Sequence, residues 1–204
     1  MKYLESISLA GSHAKGTALR DSDIDLFLRF SPGTPGPISA IQTSLADHFH
    51  GQIRNVSVRI MLAGRFIDLV PARNNILWQA RFNTWLKTDI PLQIRYVRDS
   101  GLIDEILALK IWRRRHALRF PSFLMELAVI HALKPNRPIA EQFTSLLRFL
   151  ATDFPTTRLL DPANSNNVVS DLLTDVEKLR IARTAHGKWG LPTDFEERHA
   201  HRLK

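Results

Sequence analysis

Two aspartates in this 204-residue sequence have the spacing of a metal site. Asp23 and Asp25 lie two residues apart in SDIDLFLRF, and because side chains alternate between the faces of a strand, both project from one side. Carboxylates held about 5 Å apart repel each other by a few kcal/mol at an effective dielectric of ~20. A fold tolerates this repulsion when a cation lies between them or when one carboxylate is protonated. Hard oxygen ligands of this kind favour Mg²⁺.

A third aspartate, Asp68, lies in the strand-like segment RFIDLVPA. Its neighbours Ile67 and Leu69 face the opposite side of that strand and can be buried. Placed beside the first strand, Asp68 completes a site for two Mg²⁺ ions, or for Mn²⁺ in their place. One ion would polarise an attacking hydroxyl and the other would hold a triphosphate. The alternative is that these aspartates are solvated surface acids.

Gly11 and Ser12 are candidates for binding phosphate. They follow a short alternating segment, Ser6 to Ala10, and precede a helix-like turn. Glycine lets the backbone approach a phosphate closely, the serine hydroxyl can donate to it, and a helix start favours an anion. A lone Gly-Ser or a lone Asp-x-Asp is a weak signal, but Gly-Ser, ten residues, Asp-x-Asp and a later strand aspartate form a far more specific combination.

The elements that must position these residues form a sheet-bearing part followed by a helical part. Strand patterns cover residues 6–10, 24–30, 52–62 and 65–70, the last two joined at Ala63-Gly64, and a helical pattern covers 38–49. Helical periods then cover 102–118, 122–133, 139–152 and 168–184, with Asp99-Ser100 as a helix start. The last has one apolar stripe: Val168, Val169, Leu172, Leu173, Val176 and Leu179. An α+β fold with a ligand cleft between the two parts is predicted.

The segment from Gly11 to Phe30 resembles the nucleotidyltransferase signature of the polymerase β superfamily. Within it, the chain resembles the 2′-5′-oligoadenylate synthetase and cGAS/DncV-like group, the CD-NTases. Gly16-Thr17 followed by SDIDL, the third-aspartate segment IDLVPA, and the late segment DPANSNN match that group. The resemblance implies a polymerase β-like palm, a mixed sheet with flanking helices, over residues 1–98. A helical lobe that helps bind the donor nucleotide would follow over 99–204, with the active site in the cleft between them.

The same resemblance implies a reaction. A magnesium-dependent, template-independent enzyme would transfer a nucleoside monophosphate from an NTP, ATP favoured, to a hydroxyl, releasing pyrophosphate. The product would be a linear or cyclic oligonucleotide, a signal of the kind used in antiviral defence. Asp23, Asp25 and Asp68 would be both catalytic residues and metal ligands, with Gly11 and Ser12 holding the triphosphate.

The segment ALKIWRRRHALRFPSFLMELAVIHAL resembles the paired helices that hold the donor nucleotide in this group. On that basis Lys110 and Ser122 would bind phosphate, and Phe123 would stack on the base, where the group more often has tyrosine. Two alternatives stay open. Lys110 lies on an inward stripe and can instead form an ion pair with Glu126. Phe123 also matches the apolar stripe of its own helix and can be a core residue.

Charge indicates a polyanionic partner, since 28 Lys and Arg against 20 Asp and Glu give a net charge of +8. RNA or DNA could bind the basic surface as acceptor or activator. The run Arg113 to His116, with Arg119, is either a solvated face or such a patch. The absence of cysteine excludes disulfides and suits a cytoplasmic location. No apolar run approaches the ~18 residues of a membrane span and no signal peptide is visible, so no membrane association is expected.

Other interpretations remain. Only Met1 to Glu5 precede the first strand, where members of the group carry a bracing helix, so the chain is a compact variant, has a truncated start, or is braced by a partner or by self-association. One rival function is modification of RNA 3′ ends, as by archaeal CCA-adding enzymes, or of a protein. Another is a non-catalytic nucleic-acid-binding member of the fold. Asp161 and Asn167 are expected to fix a loop rather than to do chemistry.

Overall fold

The computed structural model describes residues 3–187, and the chain divides into two compact units. The first unit comprises the chain up to Asp99 together with Asp161–Asn167, and the second comprises Ser100–Leu160 and the chain from Val168 onward. The first unit contains the sheet, whereas the second is mainly helical. Residues 161–167 therefore group with the sheet-bearing unit, although they follow the helices in sequence.

The first unit is built on a seven-stranded mixed sheet. Its strand order is β1-β2-β5-β4-β3, with β6 pairing with β5 and with β7; only β2 and β5 run parallel. This arrangement confirms the predicted α+β class with a mixed sheet and flanking helices. The elements are β1 (Leu4–Ala10), α1 (Gly11–Lys15), β2 (Ile24–Phe30), α2 (Ile38–Phe49), β3 (Gln52–Ile53), β4 (Val58–Leu62), β5 (Arg65–Arg73), β6 (Ile76–Gln79), β7 (Thr84–Lys87) and α3 (Ile90–Arg98).

Helix α2 covers one face of this sheet. It buries Ile41 and Leu45 in one cluster with Leu28 of β2 and with Ile67 and Leu69 of β5. Because side chains alternate along a strand, residues 66, 68 and 70 of β5 point to the opposite face. The apolar alternation of β2 and β5 thus fixes which face holds Asp68.

The two strands predicted to meet at Ala63-Gly64 are β4 and β5. Both turn residues have positive φ, 49° and 76°, which is the backbone of the tight turns that suit the twist of a hairpin. The predicted single strand over 52–62 is wrong, because it is itself a hairpin of β3 and β4. A turn in which the Arg54 amide donates to the Ser57 carbonyl (2.8 Å) separates these two strands.

The second unit consists of four α-helices and a 3₁₀ helix within the described part of the chain. They are α4 (Ile103–Arg115), α5 (Ser122–Ala132), α6 (Ile139–Thr152), the 3₁₀ helix (Val169–Leu172) and α7 (Asp175–His186). Leu109, Leu124, Leu146 and Leu150 are fully buried and form much of its interior. A two-stranded hairpin of β8 (Leu160–Asp161) and β9 (Asn164–Val168) follows α6 in sequence, and its residues 161–167 belong to the first unit. The helices of residues 3–187 are all too short or too polar to span a bilayer.

The helix predicted over 168–184 begins later than expected. Helix α7 starts at Asp175, because the Thr174 side chain accepts a hydrogen bond from the Glu177 amide while the Glu177 carboxylate accepts from the Thr174 amide. Val176, expected on the buried stripe, is 68% exposed. The capping pair therefore outweighs the apolar period before it.

The helix start predicted at Asp99-Ser100 is also displaced. Asp99 caps the C-terminal end of α3, where its amide donates to the Arg95 carbonyl (2.8 Å), and α4 begins at Ile103. The Ser100 hydroxyl accepts a hydrogen bond from the Leu102 amide (3.2 Å), so it stabilises the approach to the helix rather than its first turn.

Candidate active site

The first unit brings the three predicted aspartates together. Asp25 in β2 and Asp68 in β5 are direct partners in the parallel register, and Asp23 lies one residue before β2. Asp68 is 8% exposed, whereas Asp23 and Asp25 are half-buried. The cluster lies on the sheet face opposite α2, because Asp68 alternates with the buried Ile67 and Leu69.

Asp25 is under the greatest electrostatic stress of the three. Burial raises the pKa of its carboxyl to about 6 from an ordinary value of 3.8. The negative charges of Asp68 and then Asp23 contribute to this rise, and the positive charges of Lys15 and His13 oppose it only in part. Ionisation of Asp25 is therefore less favourable than that of an ordinary aspartate, and a divalent cation beside it would reduce this cost.

Arg59 in β4 is a site residue that sequence reasoning missed. Its Nε donates to Asp68 Oδ1 (3.0 Å), and its Nη2 donates to Asp68 Oδ2 (2.7 Å) and to Asp23 Oδ2. The hydrogen bonds to Asp68 are the main reason that the pKa of Arg59 is raised. The signal was available, because the two-residue turn at Ala63-Gly64 sets a register that pairs Arg59 with Asp68.

The donor set is chemically suited to a hard divalent cation. Three carboxylates from adjacent parts of the sheet converge, and oxygen ligands of this type hold Mg²⁺ or Mn²⁺. Within residues 3–187, no group of three or more acidic or histidine side chains is arranged as a metal-binding set. The Arg59 guanidinium links Asp23 with Asp68 instead.

Gly11 lies directly against the aspartate cluster. Its φ is +57°, and a Cβ built on it would be 1.7 Å from Asp25 Oδ2 and 2.9 Å from Asp25 Cβ. Only glycine fits where the backbone passes this close to a carboxylate. Ser12 follows in α1, and its carbonyl accepts from the Thr17 amide (2.9 Å). The structure therefore places the predicted glycine-serine turn beside Asp25.

The pKa of Asp25 leads to a pH dependence in the metal-free protein. Because the folded-state pKa lies above the ordinary value, the folded protein holds a proton between about pH 4 and 6 that the unfolded chain releases. The contribution of Asp25 to the free energy of unfolding therefore falls as pH rises through this window and levels off above it. Urea denaturation in EDTA should show the stability of wild type falling relative to Asp25→Asn over this range. A difference independent of pH would contradict the raised pKa.

The predicted donor-nucleotide residues lie in the second unit. Lys110 in α4 is 3% exposed, and its Nζ is 3.1 Å from Oε1 of the equally buried Glu126 in α5. The ion pair that the sequence left as an alternative is thus present, and phosphate binding by Lys110 stays a prediction. Ser122 is exposed as the first residue of α5, and Phe123 after it is half-buried.

Asp161 has the structural role expected from the sequence. It is 2% exposed and accepts hydrogen bonds from the Gln93 side-chain amide (2.8 and 3.0 Å), from Asn167 Nδ2 (3.0 Å) and from the Ala163 amide (2.9 Å). Because these donors occupy both carboxylate oxygens, Asp161 fixes the loop that follows it.

Part of the basic run after Lys110 also has structural partners. Arg113 donates to the Phe120 carbonyl (3.1 Å), and burial lowers the pKa of its guanidinium. Arg119 pairs with Glu177 at the start of α7. Arg114 and Arg115 remain exposed on α4.

This geometry can be compared with known proteins. The family model described as "Nucleotidyltransferase domain" matches residues 2–87, which include the three aspartates, Gly11, Ser12 and Arg59. This stretch is therefore similar to a nucleotidyltransferase domain. The match agrees with the predicted class of enzyme for the part of the chain that carries the aspartate cluster.

Solved structures show which fold this chain has. The CD-NTase CdnG of Bradyrhizobium diazoefficiens in complex with GTP superposes with a TM-score of 0.73 at 12% identity, over 98% of this chain and 80% of that one. The Cid1 poly(U) polymerase with Mg and 3′-dATP bound superposes with a TM-score of 0.63 at 14% identity, over 94% of this chain and 85% of that one. Both likenesses confirm the predicted polymerase β-like nucleotidyltransferase fold.

One curated relative matches by sequence. The CCA-adding enzyme of Picrophilus torridus is 28% identical over an alignment of 201 positions that covers 86% of this chain and 42% of that enzyme. The chain thus spans less than half the length of this relative.

Proposed function

We propose that this protein is a magnesium-dependent, template-independent nucleotidyltransferase that transfers a nucleoside monophosphate from an NTP, ATP favoured, to a hydroxyl group. The observation that carries the proposal is the parallel pairing of Asp25 with Asp68, with Asp23 beside them and Gly11 against the Asp25 carboxylate. In the reaction the acceptor oxygen bonds to the α-phosphorus while the bond to the β-phosphate breaks, and pyrophosphate leaves.

The proposed roles follow from where each residue lies. Asp23, Asp25 and Asp68 would hold two Mg²⁺ ions, or Mn²⁺ in their place. Bound there, the ions would polarise the acceptor hydroxyl and stabilise the leaving pyrophosphate. Gly11 exposes backbone next to Asp25, so it and the Ser12 hydroxyl are suited to hold the triphosphate near that carboxylate. Asp68, the most buried of the three, would help to activate the acceptor hydroxyl.

The second unit would complete the donor site. Lys110 and Ser122 are proposed to bind phosphate, and Phe123 is proposed to stack on the base. Phosphate binding by Lys110 requires its ammonium to exchange its carboxylate partner, Glu126, for phosphate oxygens. Domain roles follow from this proposal, with residues 1–98 as the catalytic palm and residues 99–204 as the lobe that helps bind the donor.

Lys110 can be tested separately from the ion pair that it forms. Lys110→Met alone should lower the free energy of unfolding by about 3–5 kcal/mol, because the buried Glu126 carboxylate loses the positive charge of Lys110. The double variant Lys110→Met, Glu126→Leu should regain most of this stability, since neither charge remains buried. We expect the double variant to be folded but to have an NTP KM raised by about tenfold. An unchanged KM would leave Lys110 with a structural role alone.

Two products are consistent with this chemistry. The fold shared with a CD-NTase, together with the SDIDL and IDLVPA segments, favours an oligonucleotide signal, linear or cyclic, with a role in antiviral defence. The match to a CCA-adding enzyme and the net charge of +8 favour addition to RNA 3′ ends as the second candidate. We place the reaction in the cytoplasm, where NTPs and Mg²⁺ are plentiful. A partner or a second copy would brace the first strand, which is exposed along most of its length.

The products decide between these candidates. The purified protein would be incubated with each α-labelled NTP and Mg²⁺ or Mn²⁺, with and without tRNA. Small products that resist phosphatase, identified by mass spectrometry, support signal synthesis. Label retained on RNA or on protein supports macromolecule modification. If Asp23→Ala and Asp25→Ala leave every measurable activity unchanged, the catalytic proposal fails and the chain is a nucleic-acid-binding member of the fold.

A further inference from the structure

Arg59 places a positive charge between two proposed metal ligands. Its Nη2 lies within hydrogen-bonding distance of one oxygen of Asp23 and one oxygen of Asp68, while its Nε binds the other oxygen of Asp68. Both Asp68 oxygens are therefore engaged by one guanidinium in the two-pronged geometry that Arg forms best with a carboxylate. Arg59 Nη2 thus lies between one carboxylate oxygen of Asp23 and one of Asp68, where a cation held by both side chains would also have to lie.

The electrostatics of the cluster explain why a cation belongs there. Three carboxylates converge on a largely buried patch, and the negative charges of Asp68 and Asp23 both act on Asp25. Without a cation, their mutual repulsion would oppose folding of β2 against β5. Arg59 supplies one positive charge from the adjacent strand β4, which offsets part of this repulsion.

We infer that Arg59 competes with the divalent ion, occupying its position between Asp23 and Asp68 and leaving when the ion binds. The inference rests on the proposed function, since it takes the aspartates as metal ligands. A divalent ion and a guanidinium cannot share the same oxygen-lined position, because they repel each other and need the same lone pairs. Arg59 would thus lower metal affinity, and its guanidinium would have to leave Asp23 and Asp68 before these carboxylates could hold an ion.

Arg59 also contacts a residue outside the aspartates, and it can keep this contact when it leaves them. The ring of Phe66 lies on the same sheet face, two residues before Asp68, and its centroid is 5.2 Å from Arg59 Cζ. Cation–π attraction to this half-exposed ring offers the guanidinium a second partner outside the carboxylate cluster. The Arg59 side chain is itself 23% exposed, so its release into solvent is not obstructed by burial.

The test is metal affinity measured without nucleotide, so that activity is not the readout. Mn²⁺ binding would be followed by electron paramagnetic resonance of the free ion for wild type, Arg59→Gln and Arg59→Lys. We expect Arg59→Gln to bind Mn²⁺ about tenfold more tightly than wild type. Arg59→Lys should lie in between, because lysine keeps the positive charge but cannot bind both oxygens of Asp68 as the guanidinium does. Arg65→Gln is the matched control. It removes the same charge from the same hairpin on the opposite face, and it should leave the affinity unchanged.

The outcomes separate this inference from the proposed function. Asp25→Asn is included to show that the measured Mn²⁺ binds at the aspartates. If it abolishes Mn²⁺ binding while Arg59→Gln binds no more tightly than wild type, the competition is disproved and the metal site stands. If Asp25→Asn binds Mn²⁺ as wild type does, both the inference and the proposed metal site are disproved. Circular dichroism checks that each variant is folded, and Arg59→Lys serves in place of Arg59→Gln should the latter fail to fold.

Discussion

Asp25→Asn is expected to give a folded protein that transfers nucleotides at about a thousandth of the wild-type rate or less. Asparagine keeps the shape of the side chain but removes the negative charge that a bound Mg²⁺ would neutralise. Asp25 pairs with Asp68 across β2 and β5 and lies against the Gly11 backbone. Without its carboxylate, only Asp23 and Asp68 remain as proposed ligands. Incorporation of labelled nucleotide at saturating Mg²⁺ measures the loss.

Stability shows whether this loss is chemical or structural. The Asp25 carboxyl is strained by burial and by its acidic neighbours, so its replacement should raise the free energy of unfolding of the metal-free protein at neutral pH. Asp47→Asn, on the exposed face of α2, is the control with the same change of charge and should retain full activity. An Asp25→Asn protein that is folded and active would remove Asp25 from the mechanism.

Gly11→Ala is expected to have the second-largest effect, with activity reduced by about a hundredfold and stability lowered by about 3 kcal/mol. The added methyl group would lie 1.7 Å from Asp25 Oδ2 and 2.9 Å from Asp25 Cβ. A rotation of the carboxylate alone cannot relieve both contacts, so the whole Asp25 side chain or the turn must move. Thermal unfolding and the incorporation assay together measure the two effects.

Gly16→Ala separates this clash from backbone strain. Gly16 also has a positive φ, 77°, but a Cβ built there meets nothing within 4 Å. Its replacement should therefore cost only about 1 kcal/mol of left-handed strain and leave the transfer rate nearly unchanged. Equal losses of activity in the two variants would show that the turn conformation, rather than the approach to Asp25, is what the site requires.

The sequence was sufficient to predict the aspartate cluster because its signals are local. The alternation of Ile24, Leu26 and Leu28 around Asp25 identifies a strand and its buried face. The left-handed turn at Ala63-Gly64 identifies the hairpin whose second strand carries Asp68. Each of these features depends on a few neighbouring residues, so little tertiary information was needed.

The parts that the sequence did not reveal depend on competition or on distant pairing. Arg59 was missed because its role appears only when the hairpin register is followed from the turn to the third aspartate. The start of α7 was misplaced because the apolar period runs on without a break from residue 168 into the helix. The capping pair Thr174 and Glu177, and not this period, determines that the helix begins at Asp175. For Lys110, the helical period predicts that the side chain is buried, but it does not show whether its ammonium binds a phosphate or the Glu126 carboxylate.

The parallel pairing of β2 with β5 has a consequence for how this protein acquires its activity. Parallel neighbours cannot be joined by a tight turn, and here α2 and the β3–β4 hairpin lie between them in the chain. Closing so long a loop is slow compared with forming hairpins and helices, so Asp25 and Asp68 should meet late during folding. A nascent chain emerging from the ribosome would hold only two of the three proposed ligands, Asp23 and Asp25, until β5 had been synthesised. The complete set of proposed ligands would then form only after the sheet has folded, so metal binding would follow folding of residues 1–98 and could not initiate it.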